Sequence, residues 1–339
     1  MSIPLSILDL AFVRPGQTPR ESFQASVALA QRAEQLGYTR IWYAEHHNIP
    51  AIASSATSVL IAHMAAHTTR IRLGAGGIML PNHPPLAIAE QFGTLECLHP
   101  GRIDLGLGRA PGSDQITMRA MRRNPSAADT FPEDVLELQG YLTGHSRVPG
   151  VEAIPGKGTN VPLYILGSSH FGAQIAAAFG LPFAFASHFA PALLEEAVAL
   201  YRREFRPSAQ LERAHVIAGV NVIAAERASE AAAQLAVVRR LRVKSLLGRG
   251  RKLSDEEADA LLSSPEGQYL TQMGRYTAVG TATEVLDYLD RFARQADADE
   301  LITVHPTPSV DDRLRSVELT ATGIPAAESP APGTGTRAT

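Results

Sequence analysis

Four short stretches combine residue types and spacings that could do chemistry. Glu45-His46-His47 sets a carboxylate beside two imidazoles. A histidine titrates near neutrality and can pass protons. Successive strand residues face opposite sides, so at a strand end only one of His46 and His47 can face a given pocket, and the two cannot easily chelate one metal. Gly76-Gly77 interrupts an apolar run; glycine there marks a bulge, a backbone on which a flat ligand can rest, or a plain exit turn. Arg109 follows Gly106-Leu-Gly108 and offers a fixed cation with paired donors. Gly167-Ser168-Ser169-His170-Phe171-Gly172 brings small residues, hydroxyls and free amides to the start of an apolar helix, a ready anion site best suited to a phosphate. The alternative is that Ser168 caps that helix and Arg109 pairs with a surface carboxylate.

Other signals are near misses. His63-Met-Ala-Ala-His67 has helical spacing, but Met64 stands where a zinc protease needs glutamate; no metal site is expected. Gly167-Ser-Ser-His-Phe171 approaches a nucleophile elbow and keeps a serine hydrolase as the runner-up class, although Phe171 replaces the second glycine. Gly106-Leu-Gly108 lacks the third glycine of a dinucleotide fingerprint. The basic stretch 239–252 has no interleaved aromatic residues for base stacking and reads as a solvated, mobile loop.

The elements that must position these residues alternate. Residues 3–9, 40–44, 71–76, 103–107, 163–166, 183–186, 215–224 and 301–304 read as short strands, most of them apolar on both faces. Helical patterns fall between them at 57–67, 86–98, near 132–143, 173–179 and 311–319. Thr18-Pro-Arg-Glu21 and Thr281-Ala-Thr-Glu284 are capping boxes, and Gly37 closes the first helix. Eight such units predict an α/β fold, a (β/α)8 TIM barrel, with a doubly wound sheet as the rival. Residues 108–130 after strand four and about 227–277 after strand seven are insertions on the loops that form the mouth in this fold. Residues 1–322 are expected to form one domain and 323–339, rich in Pro, Gly, Ala and Thr, a disordered tail. The four chemical stretches lie at the ends of strands two to five, on one mouth.

The composition agrees with a folded protein: 339 residues, 45% hydrophobic and 19% charged. A net charge of −3 removes any general attraction to nucleic acid or anionic membrane. No basic leader region or run near the roughly 20 apolar residues of a membrane span is visible, so a cytoplasmic location is expected. The single cysteine, Cys97, excludes an internal disulfide and a thiolate cluster. Lysine occurs only at 157, 244 and 252, a bias that fits a GC-rich genome. Besides Arg109, the charges expected at the mouth are Asp9 and Glu45, taken as candidate substrate contacts, and the substrate is expected to be apolar or aromatic.

From its first strand to its last helix the sequence resembles the bacterial luciferase-like flavin monooxygenases. The resemblance is carried by Ile41-Trp-Tyr-Ala-Glu-His-His47, Leu73-Gly-Ala-Gly-Gly-Ile-Met-Leu-Pro81, Pro100-Gly-Arg-Ile-Asp-Leu-Gly-Leu-Gly-Arg109 and Val279-Gly-Thr-Ala-Thr-Glu-Val285. It implies a TIM barrel, usually a homodimer, using reduced FMN from a separate NAD(P)H:flavin reductase together with O2. It further implies that His46 is the catalytic histidine and that Gly76-Gly77 forms a non-proline cis peptide beneath the flavin ring. Arg109, Gly167, Ser168, Ser169 and Gly172 would hold FMN, and Glu90 would lie near a subunit interface. The implied chemistry passes through a flavin C4a peroxide shielded from water, acting on a substrate such as an aromatic polyketide or a long-chain aldehyde, and the branch includes antibiotic-tailoring enzymes. Two positions depart from the light-emitting members: Gly108 replaces a cysteine and Ser168 a glutamate. Deazaflavin F420-dependent oxidoreductases share the barrel and form an alternative, as does a flavin-binding protein without turnover.

Overall fold

The computed structural model describes residues 3–110, 112, 114–248 and 251–324. The expected tail beyond residue 324 lies outside the described residues. The chain runs β1 (Leu5–Asp9), α1 (Pro19–Leu36), β2 (Arg40–Tyr43), α2 (Thr57–Ala65), β3 (Arg72–Met79), α3 (Pro85–Leu98) and β4 (Ile103–Gly108). It continues with α4 (Gln115–Ala120), α5 (Phe131–Thr143), β5 (Leu163–Gly167), α6 (His170–Phe179), β6 (Phe183–Phe185), α7 (Leu194–Glu204) and β7 (Val216–Ala224). The last part is α8 (Ala228–Leu247), α9 (Asp255–Leu262), α10 (Pro265–Met273), β8 (Thr277–Gly280), α11 (Ala282–Gln295), β9 (Glu300–Val304) and α12 (Val310–Ala321).

Strands β1 to β7 and β9 close into an eight-stranded parallel TIM barrel, the ring completed by β6 against β7 and β9 against β1. The expected eighth strand is thus β9. The strand β8 was not anticipated: it pairs with the far half of β7, Asn221 opposite Thr277, outside the ring. Both expected capping boxes form, at Thr18 and Thr281, and Gly37 ends α1 in the left-handed conformation.

Strand periodicity sorts the core into two layers. Ile7, Ile41, Tyr43, Leu73, Leu105, Ile165 and Phe183 pack outward against the helices, while Leu8, Trp42, Tyr164, Ala184, Ile217 and Ile302 fill the barrel. Space for the Trp42 ring comes from glycine. A Cβ on Gly74 would lie 2.6 Å from Asp104 Cβ and 2.8 Å from Trp42 Cδ1, closer than real contacts allow. Trp42 and Tyr164 meet edge to face at 5.0 Å.

Beneath these rings lies a buried charge array. Arg40 donates to Asp104 (2.8 Å), Glu300 (2.9 Å) and the Tyr164 hydroxyl (2.7 Å). Arg72 also donates to Asp104, and Ser6 and Trp42 donate to Glu300 and Asp104. Burial opposes the charge on Arg40, but Glu300 and Asp104 outweigh it and raise its pKa. Arg40→Leu leaves two buried carboxylates short of their shared partner, and should lower the unfolding free energy by about 3–5 kcal/mol in urea titration; a loss below about 1 kcal/mol would show that the array does not hold the barrel floor.

Candidate active site

Above the rings the barrel opens into a cavity of about 1190 Å³, larger than the roughly 300–1,000 Å³ of an ordinary single-ligand site. Leu10, Phe12, Leu166, Phe189, Ile302 and Val304 give it an apolar surface. Every charged residue lining it is basic: Arg14, Arg109, Arg239, Arg242 and Lys244.

His46 lines this cavity and His47 does not, as alternation requires. The Nδ1 of His46 is buried without a hydrogen-bond partner, and burial lowers the ring's pKa against the opposing pull of Glu45, so His46 is neutral at pH 7. The ring of His188, just past β6, lines the same cavity. Burial, helped by the charge of Arg242 and by His46, pushes His188 down to about 3, and its Nδ1 also lacks a partner. His188 packs over Gly219, where a Cβ would come within 2.4 Å of Nδ1, and its carbonyl accepts from Asn221 at 2.6 Å. The reading of the sequence missed His188. Ala184, Ala186 and His188 lie at period two along and beyond β6, which was the available signal.

Arg109, Gly167, Ser168, Ser169 and Gly172 come together at one edge of the cavity. Ser169 occupies the N-cap of α6 without making a side-chain cap bond. Neither serine hydroxyl makes a hydrogen bond to another described residue, and Arg109 makes no ion pair with one; its guanidinium rests 4.3 Å above the ring of Phe171. The plain capping and surface-pairing alternative therefore does not describe this corner. Gly172 is small because a Cβ there would lie 3.3 Å from the Gly167 Cα, the approach that lets strand and helix meet. No triad is built on the elbow-like sequence among the described residues: His170 turns away to Glu196 at 3.3 Å.

Gly76-Gly77 is a non-proline cis peptide, as the resemblance implies, and coincides with a register shift between β3 and β4. The strands themselves require these glycines. A Cβ on Gly76 would meet Leu8 at 2.8 Å and Trp42 at 2.9 Å, and one on Gly77 would meet the Gly106 carbonyl oxygen at 2.7 Å. Gly76 also lines the cavity.

Asp9 and Glu45 are corrected as substrate contacts. Both point away from the barrel axis, sharing the odd-numbered face with Ile7 and Tyr43. Asp9 is fully buried and accepts from Ser26 (2.5 Å), the Ala11 amide (2.8 Å) and Arg313 (2.9 Å). Glu45 is 1% exposed; His47 Nε2 lies 2.8 Å and His83 Nε2 2.9 Å from its Oε1, and the Met79 amide donates to Oε2 at 3.0 Å. It ties the end of β2 to the end of β3 and so sets the backbone next to His46.

The basic stretch after β7 is likewise not a mobile loop up to Leu247. It belongs to α8, where Arg240 pairs with Asp259 and Lys244 with Asp255 of α9, while Leu235, Val238, Leu241 and Arg242 wall the cavity. Arginine, leucine and lysine are good helix formers, and the acidic helix beside them balances the charge. Among the described residues, no helix is long and apolar enough to cross a membrane.

A closed α/β barrel with an apolar, acid-free mouth defines a class of small-molecule site rather than a particular activity. The comparison with known proteins narrows it: the luciferase-like monooxygenase profile matches residues 3–300, and the chain belongs to that family. A luciferase-like monooxygenase of Escherichia coli K12 is 47% identical over 94% of this chain and 96% of its own length. The N-acetyl-S-alkylcysteine monooxygenase of Bacillus subtilis is 33% identical over 96% of this chain and 99% of its own. Among solved structures, apo-MsnO8 superposes with a TM-score of 0.84 at 35% identity, covering 94% of this chain and 98% of the other.

Burial raises the Glu45 carboxyl, but His47, His83 and the Met79 amide overcome this and hold it down at about 2. A folded pKa below the unfolded one stabilises the protein above the unfolded pKa of about 4.5, and that contribution is lost as pH falls toward 2. Acidification from pH 5 to pH 3 should therefore cost the wild type about 2 kcal/mol more than Glu45→Gln, read from urea midpoints; equal losses would mean that Glu45 is not held ionised by this cluster.

Proposed function

We infer that this protein is a flavin-dependent monooxygenase that binds reduced FMN from a separate NAD(P)H:flavin reductase and uses it with O2 to oxygenate an apolar or aromatic small molecule. The observation that carries this reading is the corner at the start of α6: two hydroxyls and an Arg109 without hydrogen-bond or ion-pair partners among the described residues, beside a helix N-terminus, all opening onto an apolar cavity large enough for two ligands. That donor set suits a dianionic phosphate. When bound, reduced FMN would supply the electrons that activate O2.

The chain's own contribution is binding, dryness and one proton route. Ser168, Ser169, the first amides of α6 and Arg109 would hold the phosphate, with Gly167 and Gly172 allowing the close approach and Gly76-Gly77 presenting backbone to the ring. Leu10, Phe12, Leu166 and the α8 wall keep water from the reacting atoms. His46, neutral and with a free Nδ1, can take a proton from the substrate and return it. The N-acetyl-S-alkylcysteine relative makes thioethers one substrate class to screen, beside long-chain aldehydes and aromatic polyketides. A homodimer through α2 and α3 belongs to the same reading, with Val59 (68% exposed) and Leu98 (63%) on their outer faces.

Flavin fluorescence titration should show FMN binding that Arg109→Gln weakens roughly ten- to hundredfold, as does the Ser168→Ala, Ser169→Ala double variant. Unchanged affinity in both would remove the phosphate assignment. His46→Ala should leave FMN affinity within about threefold and lower substrate-dependent oxygen uptake, with a flavin reductase present, by roughly a hundredfold or more; full turnover in that variant would take His46 out of the reaction.

A further inference from the structure

One charge in the cavity is left over once a flavin phosphate is assigned. Arg242 of α8 is half-buried, and no hydrogen bond or ion pair joins it to any described residue. Its neighbours on the same helix show the contrast. Arg240 and Lys244, the latter also on the cavity wall, are matched by Asp259 and Asp255. Arg242 instead lies by the turn before β8, where a Cβ on Gly274 would lie 3.6 Å from Nη1, and its charge reaches His188. Burial weakens the charged form of Arg242, with no carboxylate to offset it.

A guanidinium in apolar surroundings is costly unless it is paired. Among the described residues the cavity offers no acid to pair it, since none of those lining it is Asp or Glu. Arg14, across the mouth, has the Thr307 carbonyl and lies near Asp9 and Asp312. Arg239 is exposed, and Arg109 stacks on Phe171 beside the serines of α6. Of these cavity-lining cations Arg242 is the one both half-buried and unmatched among the described residues, and it comes from α8, whereas Arg109 follows β4. Apolar side chains adjoin it on α8, at Val238 and Leu241.

We propose that Arg242 receives the anionic group, most simply a carboxylate, of the organic substrate, whose apolar body lies along Leu241, Val238 and Phe12. This deepens the oxygenase reading by naming the substrate class, amphipathic organic acids, and it assigns α8 as the element that selects them. The fork of the guanidinium fits a planar carboxylate through two donors, which an uncharged amide cannot match.

The test uses 4-phenylbutyrate and its uncharged amide, 4-phenylbutanamide, titrated by calorimetry at pH 7 into the full-length protein with and without saturating FMN. The wild type should bind the carboxylate roughly ten- to hundredfold more tightly than the amide. Arg242→Gln should abolish that preference while leaving amide binding and FMN affinity within about twofold. Arg242→Lys should keep a smaller preference, and Arg239→Gln the full one. The proposal is overturned if the wild type shows no carboxylate preference, if the preference survives in Arg242→Gln, or if Arg242→Gln loses FMN affinity instead, which would make Arg242 a second phosphate ligand. Absence of FMN binding by the wild type would sink the flavin reading alone, because the carboxylate and amide comparison still stands in the flavin-free protein.

Discussion

The buried array around Arg40 is the constraint on which the rest of the molecule depends. One guanidinium from β2 reaches carboxylates on β4 and β9 and a hydroxyl on β5, and Asp104 in turn holds Arg72 of β3. Five of the eight barrel strands are thereby tied at their lower ends. Charges this deep have a high desolvation cost, and the geometry offsets it by leaving Asp104 and Glu300 fully engaged. With the floor closed by charge and the next layer filled by Trp42 and Tyr164, the barrel opens upward, toward the loops.

What stands at that opening follows from the two-residue period of a strand. Even-numbered residues of β2, continuing into His46, face the cavity; the odd-numbered Glu45 faces back and braces the end of β3. The same parity sends Asp9 to Arg313 of α12 rather than to a ligand. The acids near the mouth are therefore construction members, and the described groups left facing inward are apolar, basic, imidazole or neutral hydroxyl and amide. Such a pocket repels water and accepts anions, a combination that suits a phosphorylated cofactor beside an apolar reactant.

The insertion after β7 completes this arrangement. Its helix α8 has two unlike faces: one exchanges ion pairs with α9, and the other turns Leu241 and Arg242 into the cavity. The small strand β8 returns the chain along the outer half of β7, which anchors the insertion to the barrel instead of leaving it as a free flap.

Much of this was legible in the residues. Eight apolar strands, two capping boxes and Gly37 announced the barrel because each is a local signal: burial on both faces, a polar side chain for the first free amides, a left-handed residue at a helix end. The grouping of His46, Gly76, Arg109 and Ser168 followed from their shared position at strand ends. The strand β8 was hidden because four residues, TAVG, carry too little pattern to be distinguished from a loop. The roles of Asp9 and Glu45 were misread because composition places a charge near a mouth without saying which way it points. His188 and Arg242 gain their meaning only from what surrounds them, a cavity without an acid, and no local pattern encodes a missing partner. Sequence by itself determined which segments become strands and helices and which of them bear reactive groups, since those preferences act over a few neighbouring residues. Tertiary structure alone decided which charges are paired and which remain free, because pairing joins residues as far apart as Arg40 and Glu300 and depends on barrel closure.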